Sequence, residues 1–184
     1  MYFALGLIST AVYIVLTALL YGLLKVVNRN LALLAAFFSL VGCAVQAFGN
    51  VFQLAPFVVL GGSPYLSVFK VEQLQALALL FLKLNPPTAY VYLVLFGSFN
   101  LLIGYLTFRS TFLPRSLGVL MALSGLGGLT FLAPPLANQV LPYIKVLAIG
   151  EPLLQLWLLA MGVNAQRWNE QARAAGQWHG APGL

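Results

Sequence analysis

The chain has 184 residues, of which 61% are hydrophobic and 7% charged, where an ordinary soluble domain carries roughly 25% charged residues. Nine basic and three acidic side chains cannot coat a soluble surface, so composition alone makes this a membrane protein. The net charge of +6 does not read as a nucleic-acid footprint, because the basic residues stand singly along the chain rather than in a patch.

Residues 2–24 form the first apolar run, long enough to cross a hydrocarbon core about 30 Å thick. No positive charge precedes it and no small-residue cleavage site follows, so it reads as a retained transmembrane helix rather than a secretory signal. Lys25 and Arg29 close it. The second span is expected from Leu31 to about Leu54, with Gln46, Asn50 and Gln53 spaced so that the three amides share one helical face. Pro56 and Gly61-Gly62-Ser63-Pro64 mark an external loop. Residues 71–84 are too few to span, and Asn85-Pro86-Pro87 follows directly. An interfacial or re-entrant helix is expected there.

The third span is expected over 88–108, ending at Arg109, and the fourth over 116–132. The short link from Ser110 to Arg115 makes these two an antiparallel hairpin. Gly97 and Gly104 lie seven apart on the third helix, Gly118 and Gly125 seven apart on the fourth, with Ser124 and Gly128 as a further small pair. In lipid, apolar burial does not drive helix association, and small residues let backbones approach and gain dispersion contacts. These positions therefore read as helix-packing sites. Residues 133–142 form an uncharged external turn, and the fifth span is expected over 143–163. A transmembrane bundle over 1–166 and a polar cytoplasmic tail over 167–184, with Arg167 and Trp168 at the headgroup level and a mobile end, complete the division. The expected fold class is all-α, a polytopic transmembrane helical bundle of about five spanning helices plus one short helix.

Charge sets the expected orientation. With the N-terminus outside, Lys25, Arg29, Arg109, Arg115, Arg167 and Arg173 fall on the cytoplasmic side and only Lys70, Lys83 and Lys145 on the other.

Chemistry is sparse. The single cysteine, Cys43, sits in an apolar run and reads as a structural thiol, which leaves no disulfide and no thiol-pair metal site within one chain. One histidine, His179, and no aspartate remove the parts for bis-histidine haem ligation, zinc hydrolysis, an aspartate dyad or a Ser-His-Asp triad. No cofactor and no metal are expected. Glu151 is the exception. It lies about 13 Å down the expected fifth helix from its outer end, where an ionised carboxylate costs at least about 2.5 kcal/mol. It must be protonated, paired or open to a water-filled cavity. Gln155 is four residues on and shares its face, while Lys145 falls on a different face and is expected to snorkel outward. Pro152 removes the bond to the Ala148 carbonyl and is expected to kink the helix. If spans two and five are neighbours, Gln46, Asn50, Glu151 and Gln155 form one polar cluster, with Asn100 of span three at a compatible depth.

The hairpin segment from Phe108 to Leu123, with its Arg-Ser-Thr-Phe-Leu-Pro-Arg stretch, carries a family resemblance together with the run from Leu31 to Gln46 and the Gly150-Glu151, Leu156-Trp157-Leu158-Leu159 and Gly162-Val163-Asn164 elements. Over nearly its whole length the chain resembles a bacterial integral-membrane family known as domain of unknown function 4386. The resemblance implies a helical-bundle fold in the bacterial cytoplasmic membrane and implies no activity. It also implies one more helix ahead of the first span, in keeping with the odd helix count. Pro152 after Glu151 and Asn85-Pro86-Pro87 depart from the family pattern and put local helix geometry there in question.

The expectation is a non-enzymatic accessory or scaffold subunit of a membrane assembly, its partners being the bilayer, other membrane subunits or copies of itself, and no nucleic acid. The alternative is a small carrier or binder of an apolar or cationic ligand with Glu151 as its protonatable or counter-ion residue.

Overall fold

The computed structural model describes residues 2–133, 135–137, 139, 143 and 149–176. All regular structure among them is helical: α1 (Tyr2–Leu24), α2 (Arg29–Leu60), α3 (Val71–Arg109), α4 (Arg115–Leu129), α5 (Gly150–Ala160) and α6 (Ala165–Ala174), with short 3₁₀ turns at Pro64–Leu66 and Thr130–Leu132. Four stretches are long and apolar enough to cross a membrane: Ala4–Leu24, Arg29–Leu60, Val71–Arg109 and Arg115–Leu132. The protein is an all-α helical bundle. The first expected span coincides with α1. Of the fifth, residues 144–148, Lys145 and Ala148 among them, lie outside the described residues, as do 140–142 of the expected external turn and 177–184.

Two expected breaks are absent. The second span does not end near Leu54, because α2 runs through Pro56 to Leu60. No separate interfacial or re-entrant helix forms at 71–84 either; these residues are the first half of the 39-residue α3, which passes straight through Pro86 and Pro87. Prolines at those positions free the carbonyls of Leu82 and Lys83, both exposed residues. Packing against α2 supplies what local propensity lacks. Asn85 donates its side-chain amide to the Gly49 carbonyl (3.3 Å), Phe81 stacks on Phe52 at 6.4 Å between centroids, and Thr88 packs so closely on Gly49 that a Cβ there would lie 3.0 Å from its Cγ2. At 1.5 Å per residue α3 is about 58 Å long and α2 about 48 Å, both longer than the roughly 30 Å hydrocarbon core. The far end of their hairpin carries Phe57 and Val68, 77% and 81% exposed.

At the other end the elements turn sharply. Asn28 caps α2, its side chain accepting from Leu31 N at 3.0 Å. Residues 110–114 return α3 into α4, with Ser110 N bonded to Leu106 O at 2.9 Å and Leu117 N to Pro114 O at 3.1 Å. Along this hairpin the glycines face each other. A Cβ on Gly104 would lie 2.5 Å from Ala122 N, one on Gly118 2.5 Å from Phe108 N, and one on Gly125 2.5 Å from Leu101 N. Gly97 and Gly128 close the same seam higher up, where a Cβ on Gly128 would meet Gly97 Cα at 2.7 Å. No side chain fits between these backbones.

The packed core lies in the half of the bundle nearer these turns: Leu20 and Leu24, Ala32 and Ala35, Phe99, Ile103 and Leu106, Leu117 and Met121, and Leu154. A buried hydrogen bond of 2.6 Å between the hydroxyls of Thr17 and Ser39 joins α1 to α2. α5 packs on α4 through Gly150, where a Cβ would meet Leu120 O at 2.5 Å. It ends at Gly162, whose φ of 66° is the left-handed conformation of a helix C-cap. α6 starts at the Asn164 cap and lies against the turns: Trp168 Nε1 donates to Leu23 O at 3.0 Å, and Gln171 Oε1 accepts from the Thr111 N–H and hydroxyl at 3.1 and 3.0 Å. The residues expected to start a polar tail at 167 thus sit within a short helix docked on the bundle.

Candidate functional site

Three helices bring polar side chains to one point. Asn100 on α3 donates its amide Nδ2 to Glu151 Oε2 at 3.2 Å, and Gln155, one turn along α5, donates Nε2 to Glu151 Oε1 at 3.2 Å. Tyr13 of α1 completes the group, its phenol within electrostatic reach of the carboxyl. Counted from the ends of α3 and α1, Asn100 lies about 14 Å and Tyr13 about 17 Å into the bundle, near the middle of a roughly 30 Å core. The local sequence explains the positions. Glu151 and Pro152 fall in the first described turn of α5. The kink expected at Pro152 turns on the bond to Ala148, outside the described residues. Asn100 is placed by the tight glycine seam on either side of it.

Glu151 divides two cavities. On one side is an open groove of about 960 Å³ between α1 and α5. Its upper end holds Ser9, Tyr13, Glu151 and Gln155, and its lower part is aliphatic, with Leu16, Leu19 and Leu23 facing Leu158 and Leu159. On the other side a smaller cavity of about 280 Å³ runs into the bundle between α1, α2, α3 and α4. Four aromatic residues line it, Tyr13, Tyr92, Phe96 and Phe131, together with Ser9, Gln46, Asn100, Ser124 and Glu151. Tyr13 and Phe96 pack at 4.7 Å between centroids, and Tyr92 meets Phe96 at 6.0 Å. Asn100 is only 6% exposed, and its Oδ1 has no hydrogen-bond partner. Among the described residues lining the two cavities, Glu151 is the one acidic or basic residue.

Of the polar residues expected to converge, Glu151, Gln155 and Asn100 are hydrogen-bonded together, and Gln46 lines the inner cavity with them. Asn50 does not join. It faces α1 at Gly6, where a Cβ would lie 2.8 Å from its Nδ2, and that buried Nδ2 is unpaired. The link between the second and fifth spans is indirect, because α5 packs on α4 and α3 supplies the bridging amide. Gly97, Gly104, Gly118, Gly125 and Gly128 lie on the α3–α4 seam; Ser124, expected there as well, lines the inner cavity. Ser9 and Tyr13 escape a reading that looks for charge and amides. Their signal is the groove-facing stripe 9, 12, 13, 16, 19, 20, 23 on α1, aliphatic except at its head. Cys43 is buried in α2, and among the described residues no three His, Cys, Asp or Glu side chains gather as metal ligands would.

Residues 1–162 match the family described as Domain of unknown function (DUF4386), and the chain belongs to that family. No curated protein and no solved structure matches it.

Proposed function

We propose that this membrane protein binds a small amphiphile in the groove between α1 and α5, polar head at Glu151 and chain along the leucines, as a carrier or a binding subunit. The observation that carries the reading is the position of Glu151, a carboxyl at mid-membrane depth that opens onto both a polar cavity and an aliphatic groove. A carboxyl serving only to hold helices together would be enclosed by its partners. The amides of Asn100 and Gln155 hold the carboxyl in place and neither take nor give a proton near neutral pH, as a binding role requires.

A second reading, an accessory or scaffold subunit, draws on a different region. The α2–α3 hairpin outreaches the hydrocarbon core and presents Phe57 and Val68 at its far end, a surface suited to a partner subunit. In either reading the bacterial cytoplasmic membrane is the proposed site, with the N-terminus outside. The six basic residues at the turns and on α6, from Lys25 to Arg173, support that orientation.

Extraction in mild detergent, followed by sizing and mass spectrometry of lipids, small molecules and proteins that travel with the chain, tests both. The binder predicts a single amphiphile in near-stoichiometric amount. Migration in a large defined assembly without such a molecule would replace it with the subunit reading.

A further inference from the structure

The amphiphile reading leaves the chemistry of the head open, and the inner cavity narrows it. Glu151 receives one hydrogen bond on each oxygen, from the amides of Asn100 and Gln155. Amides orient a carboxylate without neutralising it, and its two oxygens have about four lone-pair positions between them. Beside it, the buried Asn100 Oδ1 is a second acceptor with no donor. Two acceptors side by side repel an anionic head. A neutral hydroxyl would donate to one of them and leave the other without a partner, whereas the several N–H groups of an ammonium head can meet both.

The rest of the wall is aromatic. Tyr13, Tyr92, Phe96 and Phe131 surround the space beside the carboxyl, and aromatic faces attract cations, most strongly where water is excluded. At about 280 Å³ the cavity is smaller than the roughly 300–1,000 Å³ that whole ligands occupy, so it suits a head group rather than a complete molecule. The adjoining groove takes the remainder, since Ser9, Tyr13 and Glu151 line both spaces.

Resting on the groove reading above, we infer that the ligand is an amphiphilic organic cation: an ammonium head bearing N–H groups, held in the inner cavity by Glu151, the Asn100 carbonyl and the aromatic rings, with an alkyl tail lying between α1 and α5.

The test uses the full chain in zwitterionic nanodiscs, with empty nanodiscs subtracted, and three labelled probes of equal chain length: dodecylammonium, dodecanol and dodecanoate. Saturable binding of the ammonium probe about tenfold or more tighter than dodecanol is expected, with dodecanoate weakest. Glu151→Gln, which keeps the shape but removes the acid and turns one acceptor oxygen into an amide donor, should abolish that preference, bringing ammonium binding down to the level of dodecanol. Equal binding of ammonium and dodecanol, insensitive to Glu151→Gln, would overturn the cation inference and leave the groove reading standing. Saturable binding of none of the three would overturn both. If Glu151→Gln does not fold, the wild-type ratio of ammonium to dodecanol still decides between these outcomes.

Discussion

Two pairs of helices in this bundle solve opposite problems. Between α3 and α4 five glycines bring backbone to backbone, leaving no room for one added carbon at Gly104, Gly118 or Gly125. Between α1 and α5 the side chains are large, yet a groove of about 960 Å³ separates them, with a carboxyl at its head. Since lipid gives helices no hydrophobic reason to associate, close contact must come from small residues and hydrogen bonds. The bundle concentrates both on α3, which leaves the α1–α5 side open around Glu151. The open side is therefore a built feature, held apart while the rest of the bundle is zipped.

The sharpest way to break that contrast is to put carbon into the seam. Gly104→Ala should cost about 3 kcal/mol, the upper end of the range for overpacking, because the opposing atom is backbone nitrogen and has no rotamer to change. Reversible unfolding in mixed micelles would measure it, and a loss well under 1 kcal/mol would mean that the helices separate readily. Next in size is the bridge between the two regions. Asn100→Leu removes one of the two donors to Glu151 and should lower stability by about 0.6–1.7 kcal/mol, the range of an interhelical bond in lipid. It should weaken ammonium binding by more than it weakens the fold.

Much of this architecture is legible in the amino-acid sequence, and what is not has identifiable causes. The glycine spacings mark the seam because a seven-residue repeat of small side chains has few other uses in lipid. Glu151, Gln155 and Asn100 stand out because polar groups in apolar helices are few. The prolines mislead: Pro56 and Pro86-Pro87 look like helix ends when judged locally, but α2 and α3 support each other through Asn85, Phe52 and Phe81, and tertiary packing overrides the local preference. Asn50 shares a helical face with Gln46, yet it points at Gly6, because periodicity gives a direction and not the neighbour waiting there. Ser9 and Tyr13 are hidden for the converse reason. Neither is unusual in a membrane helix, and only the carboxyl opposite makes them part of a site.

Smaller effects sharpen the comparison. Trp168→Phe keeps the ring but loses the bond to Leu23 O that ties α6 to the end of α1, and should cost about 0.5–1.5 kcal/mol, read as faster proteolysis within α6. Filling the groove should be gentler still. Leu19→Trp with Leu159→Trp adds bulk on both walls at exposed positions, so unfolding should shift by no more than about 0.5 kcal/mol, while ligand retention in the nanodisc assay is lost. A large loss of stability there would mean that the groove walls support each other after all.

The smallest expected effect is also the strictest control. Gly22→Ala repeats the change made at Gly104, in a helix of the same bundle, but a Cβ at Gly22 meets nothing within 4 Å. With no clash to offset it, the higher helix propensity of alanine, at most about 1 kcal/mol over glycine, should leave stability unchanged or raise it by a few tenths. If Gly22→Ala instead destabilises as Gly104→Ala does, the space beside Gly22 is filled by something that packs on that face of α1. If Gly22→Ala is neutral while Gly104→Ala is costly, the cost of an added methyl in this bundle is set by whether a second backbone faces it.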